Sequence, residues 1–384
     1  MQSLCTKKLK TSISSVYTLN FISKKMTKKF PLPYIFVAFG LVFMLFSCSE
    51  STQKRLEITP SAYGSVDNIY MVCNENLWNG VVGDSFRNQF EALYPVTPQP
   101  EPLFDLRYID AVKFNKVHKT HRAIIIMADL SDKDDKATEI VNTALGSDKI
   151  KKANTDRRYR IAFHNNRWAM GQIVVYWFAP SRQELLESVR KDYKQVIELI
   201  NKLDAETLSK QVYADGQSTK LNDSIKTTFG FEMKIPSKFA IAYRDSNTMW
   251  LYEDRQKSSN NILIHSIAGI DYKTISNDSL IAIRNRLSKK YFSSWAEGSF
   301  MEVDDKNLPI YFKEMLFQGM RGLQARGIWR MEKDFMGGSF VTYLLPDAKN
   351  KRIIFIDAFV YAPGQKKRPE MRRLDTVFST FKLL

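Results

Sequence analysis

The chain has 384 residues, 57 Lys and Arg against 41 Asp and Glu, a formal net charge of +16 and three cysteines. The length exceeds the roughly 100–200 residues of one typical domain, so a sizeable core and two domains are expected. Hydrophobic residues at 44% and charged residues at 26% exclude a disordered, collagen-like or polytopic membrane chain, and three scattered cysteines cannot build a disulfide framework or a four-cysteine zinc site.

From Phe30 to Ser47 no residue is charged; Lys24, Lys25, Lys28 and Lys29 precede the run and a polar stretch from Ser49 to Arg55 follows it. A basic flank, an apolar stretch and a small residue at the cut point describe a secretory signal peptide over 1–47, whose true start could be Met26. A plain membrane anchor or uncleaved signal is the other reading of the run. Leu45, Ser47 and Cys48 resemble a bacterial lipoprotein signal, with Phe46 a bulky departure at its middle position. That resemblance implies that the Cys48 thiol carries diacylglycerol and becomes the mature N-terminus. Residues 1–47 contain seven Lys and no acid, so the mature chain carries +9 rather than +16.

After a lipidated tether over 48–60, the apolar run Ile69 to Cys73 predicts a strand. Val81, Val82, Phe86, Phe90 and Leu93 then recur at helical spacing up to Tyr94-Pro95. Pro95, Pro98, Pro100 and Pro102 make a stiff extended link, since proline fixes φ and disfavours helix before it. Leu103 to Ile109 reads as a strand and Lys113 to His121 as a short helix. Ala123 to Met127 is continuously apolar, as in a strand buried on both faces. Arg160 to His164 and Gly171 to Phe178 are further strands. Residues 181–203 carry the clearest helix, with Ser181 and Glu184 placed for a capping box and Leu185, Val189, Val196 and Ile200 on one face. Strands alternating with helices predict an α/β N-terminal domain over 61–205.

Residues 206–225 are polar, carry Gly216 and lack a sustained apolar period, so a linker is expected there. Beyond it, Phe229 to Ile235, Phe239 to Tyr243, Met249 to Tyr252 and Ile262 to Ile267 read as short strands. A helix over 277–292, longer strands near 308–318, 322–332, 338–346 and 352–361, and a last helix over 368–381 follow. The second region, 226–384, is therefore an α+β domain with an antiparallel sheet bracketed by helices.

Trp250, Gly298-Ser299-Phe300-Met301, Arg326-Gly327-Ile328-Trp329, Met336-Gly337-Gly338-Ser339-Phe340, Asp357 to Gly364, Lys367-Arg368 and Arg372-Arg373-Leu374 stand in order in this second region. In the first, Leu77-Trp78-Asn79-Gly80, Gly83-Asp84, Pro98 to Phe104 and Arg122 fit the same pattern. Together they resemble an uncharacterised domain-of-unknown-function family of Bacteroidota envelope lipoproteins. The resemblance implies an envelope location and a two-part architecture, and it brings no functional residues. By order of elements the second region is also similar to the PsbP-type sandwich, which implies a non-catalytic binding module.

Gly83-Asp84-Ser85-Phe86 resembles the GDS block of GDSL-type hydrolases, in which the serine is the nucleophile. A nucleophilic serine needs a histidine base and a third, orienting group, and no histidine of this chain follows an aspartate at the three-residue spacing of that family. Ser85 also falls inside a helical period, where Asp84 suits the first turn. His118 and His121, at i and i+3, could share a metal with Glu101, Asp105 or Asp110, but Lys116, Lys119 and Arg122 oppose a cation, so no metal site is expected. His164 and His265 lie in strand-like runs. Cys73, alone in an apolar run, is expected as a small core residue. Gly319, Gly322 and Gly327 lack the Gly-Lys-Ser/Thr that closes a phosphate loop, so no nucleotide and no other cofactor is expected.

Two basic clusters remain, Lys149, Lys151, Lys152, Arg157, Arg158 and Arg160, then Lys366, Lys367, Arg368, Arg372 and Arg373. On an exported chain their counter-charges are anionic lipid headgroups or acidic glycans rather than nucleic acid, and a solvated face is the simplest reading. The sequence therefore describes a protein anchored in the lipid bilayer through Cys48, on the periplasmic side of the outer membrane. It acts as a non-enzymatic binding or assembly factor with an envelope protein partner, and Trp78, Trp250, Trp295 and Trp329 are its candidate contact aromatics. An envelope hydrolase of glycan or ester substrates, through Ser85 or a carboxylate pair, is the alternative.

Overall fold

The computed structural model describes residues 59–269, 275–294, 296–317 and 320–384. The expected signal peptide over 1–47, the lipidation residue Cys48 and Trp295 lie outside the described residues.

The first region runs β1 (Asn68–Cys73), α1 (Glu75–Trp78), α2 (Val81–Phe90), β2 (Asp105–Asp110), β3 (Ala123–Asp129), α3 (Lys136–Leu145), α4 (Ser147–Thr155), β4 (Ile161–Asn165), β5 (Ile173–Ala179) and α5 (Arg182–Val212). Its sheet has the order β2-β1-β3-β5-β4, parallel except for β4 at one edge. β3 and β5 are buried at every position, as their unbroken apolar runs require. On one face α2 and α5 pack Phe86, Phe90, Leu185 and Val196 against Ile69, Ile125 and Trp177. On the other, α3 and α4 bring Val141, Leu145 and Ala153 against Val72, Ile126 and Phe178. This is the expected α/β arrangement. The pattern of 136–155 does not announce α3 and α4, because their buried faces rest largely on Ala137, Thr138 and Ala153. Lys113 to His121 is not one helix but two 3-10 turns, Ala111–Lys113 and His118–Thr120.

α5 starts where the sequence places it, with the Ser181 hydroxyl accepting the Glu184 N–H at 3.4 Å. It then continues past Leu203 to Val212, a run of 31 residues or ~46 Å at 1.5 Å per residue.

The second region runs α6 (Thr219–Phe229), β6 (Phe231–Glu232), β7 (Ala240–Arg244), β8 (Thr248–Arg255), β9 (Ser258–Ala268), α7 (Asn277–Tyr291), β10 (Met301–Val303), β11 (Tyr311–Phe317), β12 (Met320–Met331), β13 (Gly337–Asp347), β14 (Arg352–Tyr361), α8 (Arg368–Phe378) and β15 (Lys382–Leu383). Its main sheet is antiparallel, in the order β10-β12-β13-β14-β9-β8-β7, with β11 pairing along the first part of β12. α6, α8 and the end of α5 cover one face through Ile225, Phe229, Leu374, Val377, Leu208 and Val212. α7 covers the other through Leu280, Ile283 and Leu287. The antiparallel sheet is thus bracketed by helices.

Residues 206–225, expected as a linker, are mostly helical. The end of α5 and the start of α6 occupy them, joined by a short turn at Gly216, whose φ of +86° suits a residue without a side chain. The apolar residues of this stretch are split between two helices, two or three to each, so neither half shows a sustained period. Phe229 to Ile235 likewise holds a helix end and the two-residue β6 instead of a full strand. Thr59–Leu384 packs as one compact unit.

Candidate functional site

α7 is fixed to the second sheet by a buried ion pair. The Arg284 Nε donates to Asp357 Oδ1 of β14 at 3.0 Å, both side chains being fully buried, and Thr342 Oγ1 donates to the same oxygen at 2.5 Å. The guanidinium also lies 3.8 Å from the Phe340 ring centroid, and burial pulls the Arg284 pKa below its ordinary value against the pull of Asp357. Breaking such a pair by removing one partner costs about 3–5 kcal/mol, so the position of α7 on the sheet is strongly specified.

Where α7 ends, a cleft of 460 Å³ opens between Phe292 and the sheet. Aromatic rings run along it in sequence. Trp250 meets Phe292 edge-on at 4.7 Å, Phe292 meets Phe359 at 4.8 Å, Phe359 meets Trp329 at 5.8 Å, and Trp329 meets Tyr361 at 6.2 Å. Met301, Met331 and Met336 complete the apolar lining. Ring edges packed against faces hold the aromatics rigid, while methionine thioethers adapt to irregular shapes. Both indole N–H groups are used inside the protein: Trp250 Nε1 donates to Asn261 Oδ1 at 3.0 Å, and Trp329 Nε1 to Val360 O at 3.2 Å. Neither ring offers a free donor; Trp250, Tyr361 and Met336 are the half-buried members of the lining, with Phe292, Trp329, Phe359, Met301 and Met331 buried behind them. Ser259 and Asn261 supply the polar edge. The Trp329 seat depends on Gly338 opposite it in β13, where an added Cβ would stand 1.9 Å from Val360 O. Beside the cleft, the turn after β12 carries Phe335 fully exposed at 112% and then Met336. A pocket of a few hundred Å³, mostly apolar with a few polar groups, is the ordinary form of a small-molecule site.

Two of the four tryptophans singled out in the sequence, Trp250 and Trp329, thus share one cleft. Trp78 lies apart, stacked on Tyr108 at 5.2 Å with the Arg87 guanidinium over its ring at 4.4 Å. Met331 and Phe292 had no sequence signal beyond hydrophobicity, and Met301 and Met336 stood only as members of the family-like pattern, because strands and a loop distant in the chain bring them together.

The nucleophile and metal candidates stay apart. Ser85 is buried within α2, and among the described residues no histidine hydrogen-bonds to it. A hydroxyl–imidazole contact among the described residues joins Thr248 Oγ1 to His265 Nδ1 at 2.8 Å, but Thr248 is fully buried and also bonded to Tyr291 OH at 2.9 Å, so it ties strands to α7. His118 and His121 sit 6.1 Å apart, centroid to centroid. His121 stacks on Tyr70 at 3.4 Å, and burial with His118 beside it lowers its pKa to about 4. His118 Nδ1 instead lies 3.1 Å from Lys113 O. Among the described residues no group of three or more His, Cys, Asp or Glu is placed to hold a metal. Cys73 is buried, and burial pushes its thiol up to about 12, with Asp135 and Asp110 adding to the shift.

The two basic clusters part company. In the first, Lys149, Lys151, Lys152, Arg157 and Arg158 are exposed. In the second, Lys367 and Arg368 are buried where the two regions meet. The Glu101 carboxylate accepts the backbone N–H of Lys367 at 2.6 Å and of Arg368 at 3.0 Å, capping α8 from the other region. Arg368 donates to Asp105 at 2.6 Å and pairs with Asp67 at 3.2 Å. Arg372 pairs with Asp67 and Asp204, and Arg122 with Asp204. Burial raises the Asp204 pKa to about 6 against the pull of Arg122. This cluster is a joint, not the solvated face its sequence suggests.

Residues 218–380 match a domain of unknown function (DUF4837), and residues 62–213 match another (DUF8532). No curated protein matches the chain. Among solved structures, the Ran-binding protein Mog1p of Saccharomyces cerevisiae is similar at 9% identity and a TM-score of 0.29, over 40% of this chain and 90% of that one. A mutant of the protein Mog1 matches at 8% identity and a TM-score of 0.28 over the same shares. The human StarD13 (DLC2) lipid transfer and protein localization domain follows at 12% identity and a TM-score of 0.20, over 43% and 95%. Scores of this size carry no argument about activity.

Proposed function

We propose, for a chain whose two regions each match a domain of unknown function, that it is a lipid-anchored envelope protein of the Bacteroidota type. In this reading it binds a small amphipathic molecule in the aromatic cleft, does no chemistry on it, and works beside an envelope protein partner. The observation that carries the binding part is the 460 Å³ cleft with its unbroken line of aromatic rings and methionines. The anchor rests on the Leu45-Phe46-Ser47-Cys48 segment, and the periplasmic side of the outer membrane is favoured by the single acid in Ser49-Glu50-Ser51, a poor match to an acidic surface-export signal. The sheet between two helical layers is also the reason to assign the second region to the PsbP-type sandwich.

The binding part is tested with the hydrophobic dye anilinonaphthalene sulfonate on the full chain in a detergent that does not itself bind the dye. Enhanced emission that falls about tenfold in affinity in Trp250→Ala supports the cleft; emission unchanged by Trp250→Ala and Met336→Ala overturns it. Incorporation of labelled palmitate should vanish in Cys48→Ala, and persistent labelling would remove the anchor. Fluorophosphonate labelling that is lost in Ser85→Ala would replace the binding reading by a hydrolase of glycan or ester substrates.

A further inference from the structure

A second cavity, of 510 Å³, opens at the joint between the two regions, with six Arg or Lys side chains and three carboxylates around it. β2 contributes Asp105 and Arg107, the end of β8 contributes Arg255, and α8 contributes Arg372 and Arg373, while Leu208 and Gln211 of α5 also line it.

The six cations are not equally committed. Arg368, Arg372 and Lys366 spend their heads on Asp67, Asp105 and Asp204. The other three are short of partners. Arg107 is exposed on the edge strand, with no carboxylate within ion-pair distance among the described residues. Arg255 approaches Glu253 and Glu370 only at 3.8 and 3.7 Å, and Arg373 approaches the same two carboxylates at 3.6 Å each. Those carboxylates are already engaged, since Asn260 Nδ2 donates to Glu253 at 3.0 Å and to Glu370 at 2.8 Å. Arg373 Nε is buried without any hydrogen-bond partner. Burial, and then Arg255 beside it, hold the Arg373 guanidinium below its ordinary pKa against the pull of Glu253 and Glu370.

Three guanidinium groups facing one cavity offer paired N–H donors in the planar geometry that suits phosphate and carboxylate oxygens. A single carboxylate would neutralise one of them. We propose that this junction cavity binds a phosphate monoester, carried on a polar molecule or at the head of a lipid, through Arg107, Arg255 and Arg373. The 510 Å³ volume leaves room for the group that carries the phosphate. Because the cavity wall comes from both regions, an occupant would also tighten their joint, which gives the site a readout independent of the aromatic cleft.

The test is calorimetric titration and thermal unfolding of the full chain in detergent, with glucose 6-phosphate, glycerol phosphate and dihexanoyl phosphatidic acid, all against chloride at matched ionic strength. Binding of at least one of these phosphates with a raised unfolding temperature is expected, and the affinity should fall about tenfold or more in Arg107→Gln/Arg255→Gln. Both side chains are exposed, and Glu253 and Glu370 keep Arg373 and Asn260 when Arg255 is removed, so the ligand-free variant should still unfold cooperatively close to the parent temperature. Lys151→Gln/Lys152→Gln, in the other basic cluster, should bind as the parent does. Glycerol phosphate bound as tightly as the acylated ligand identifies a soluble phosphate, and tighter binding of the acylated ligand identifies a lipid headgroup; either supports the cavity. No binding by any of the three, or binding unchanged in Arg107→Gln/Arg255→Gln, overturns it.

Discussion

The Lys149 to Arg160 run and the Lys366 to Arg373 run have similar composition, yet the chain treats them in opposite ways. The first stays on the surface up to Arg158, which meets Asp156 at 2.7 Å, and its acids all lie in its own region; only Arg160 turns inward, to Glu184 at 2.6 Å. The second turns inward and meets Glu101, Asp67, Asp105 and Asp204, which stand more than 160 residues away. Exposed pairs of the first kind contribute about 0–1 kcal/mol. Buried groups of the second kind become costly as soon as one partner is missing. A run of cations in a sequence therefore says little until the distant carboxylates are known, and here those carboxylates all belong to the other region.

Arg368→Ala should give the largest effect, because it removes the fully buried guanidinium that joins Asp67 to Asp105 and leaves each with one remaining cation, Arg372 and Lys366: a loss of about 3 kcal/mol in urea unfolding. A loss below that of the exposed Lys151→Ala/Lys152→Ala pair would break the comparison. Glu101→Ala should cost less, about 1–2 kcal/mol, since it removes a cap from α8 and leaves two buried N–H groups without an acceptor. Faster hydrogen exchange at the Lys367 and Arg368 amides would locate that loss.

A smaller effect concerns pH, and its two parts oppose each other. Asp204 is raised from 3.8 to about 6 in the folded chain, so its stabilising contribution is full below about pH 4 and is lost as pH rises through about 6. His121 is lowered from 6.5 to about 4, so its contribution is full above 6.5 and is lost as pH falls toward about 4. Over this window the two slopes offset. Asp204→Asn should uncover a denaturant midpoint that declines toward acid, and His121→Phe one that declines toward neutrality; parallel profiles in parent and variants would refute the assignment. The smallest effect is expected in the surface run, where Lys151→Ala/Lys152→Ala should shift stability by no more than about 0.5 kcal/mol.

Much of the fold is legible along the chain. Ala123 to Met127 gives the fully buried β3, Ser181 starts α5, and the long apolar runs after Leu308 become β11 to β14. These elements are set by local patterning. The errors have local causes as well. Small residues hide α3 and α4, and a helix end with sparse apolar positions passes for a linker. The sites are less legible because they are assembled across the sheets. Trp250 and Trp329 are visible as aromatics, but only strand pairing and the turn after α7 bring them to one cleft with Phe292 and Met336. Arg107 and Arg373 carry no mark that distinguishes them from surface arginines until β2 and α8 meet.

The length of α5 bears on how the two matched regions are inherited. Their boundaries meet between residues 213 and 218, where a gene fusion would be expected to join two modules. Yet α5 supplies Leu208 and Val212 to the downstream core, and Glu101 caps the last downstream helix. A chain divided there would leave the upstream piece with a bare apolar helix end and the downstream piece with stranded cations. Each piece therefore relies on the other to cover its apolar end and to pair its buried charges.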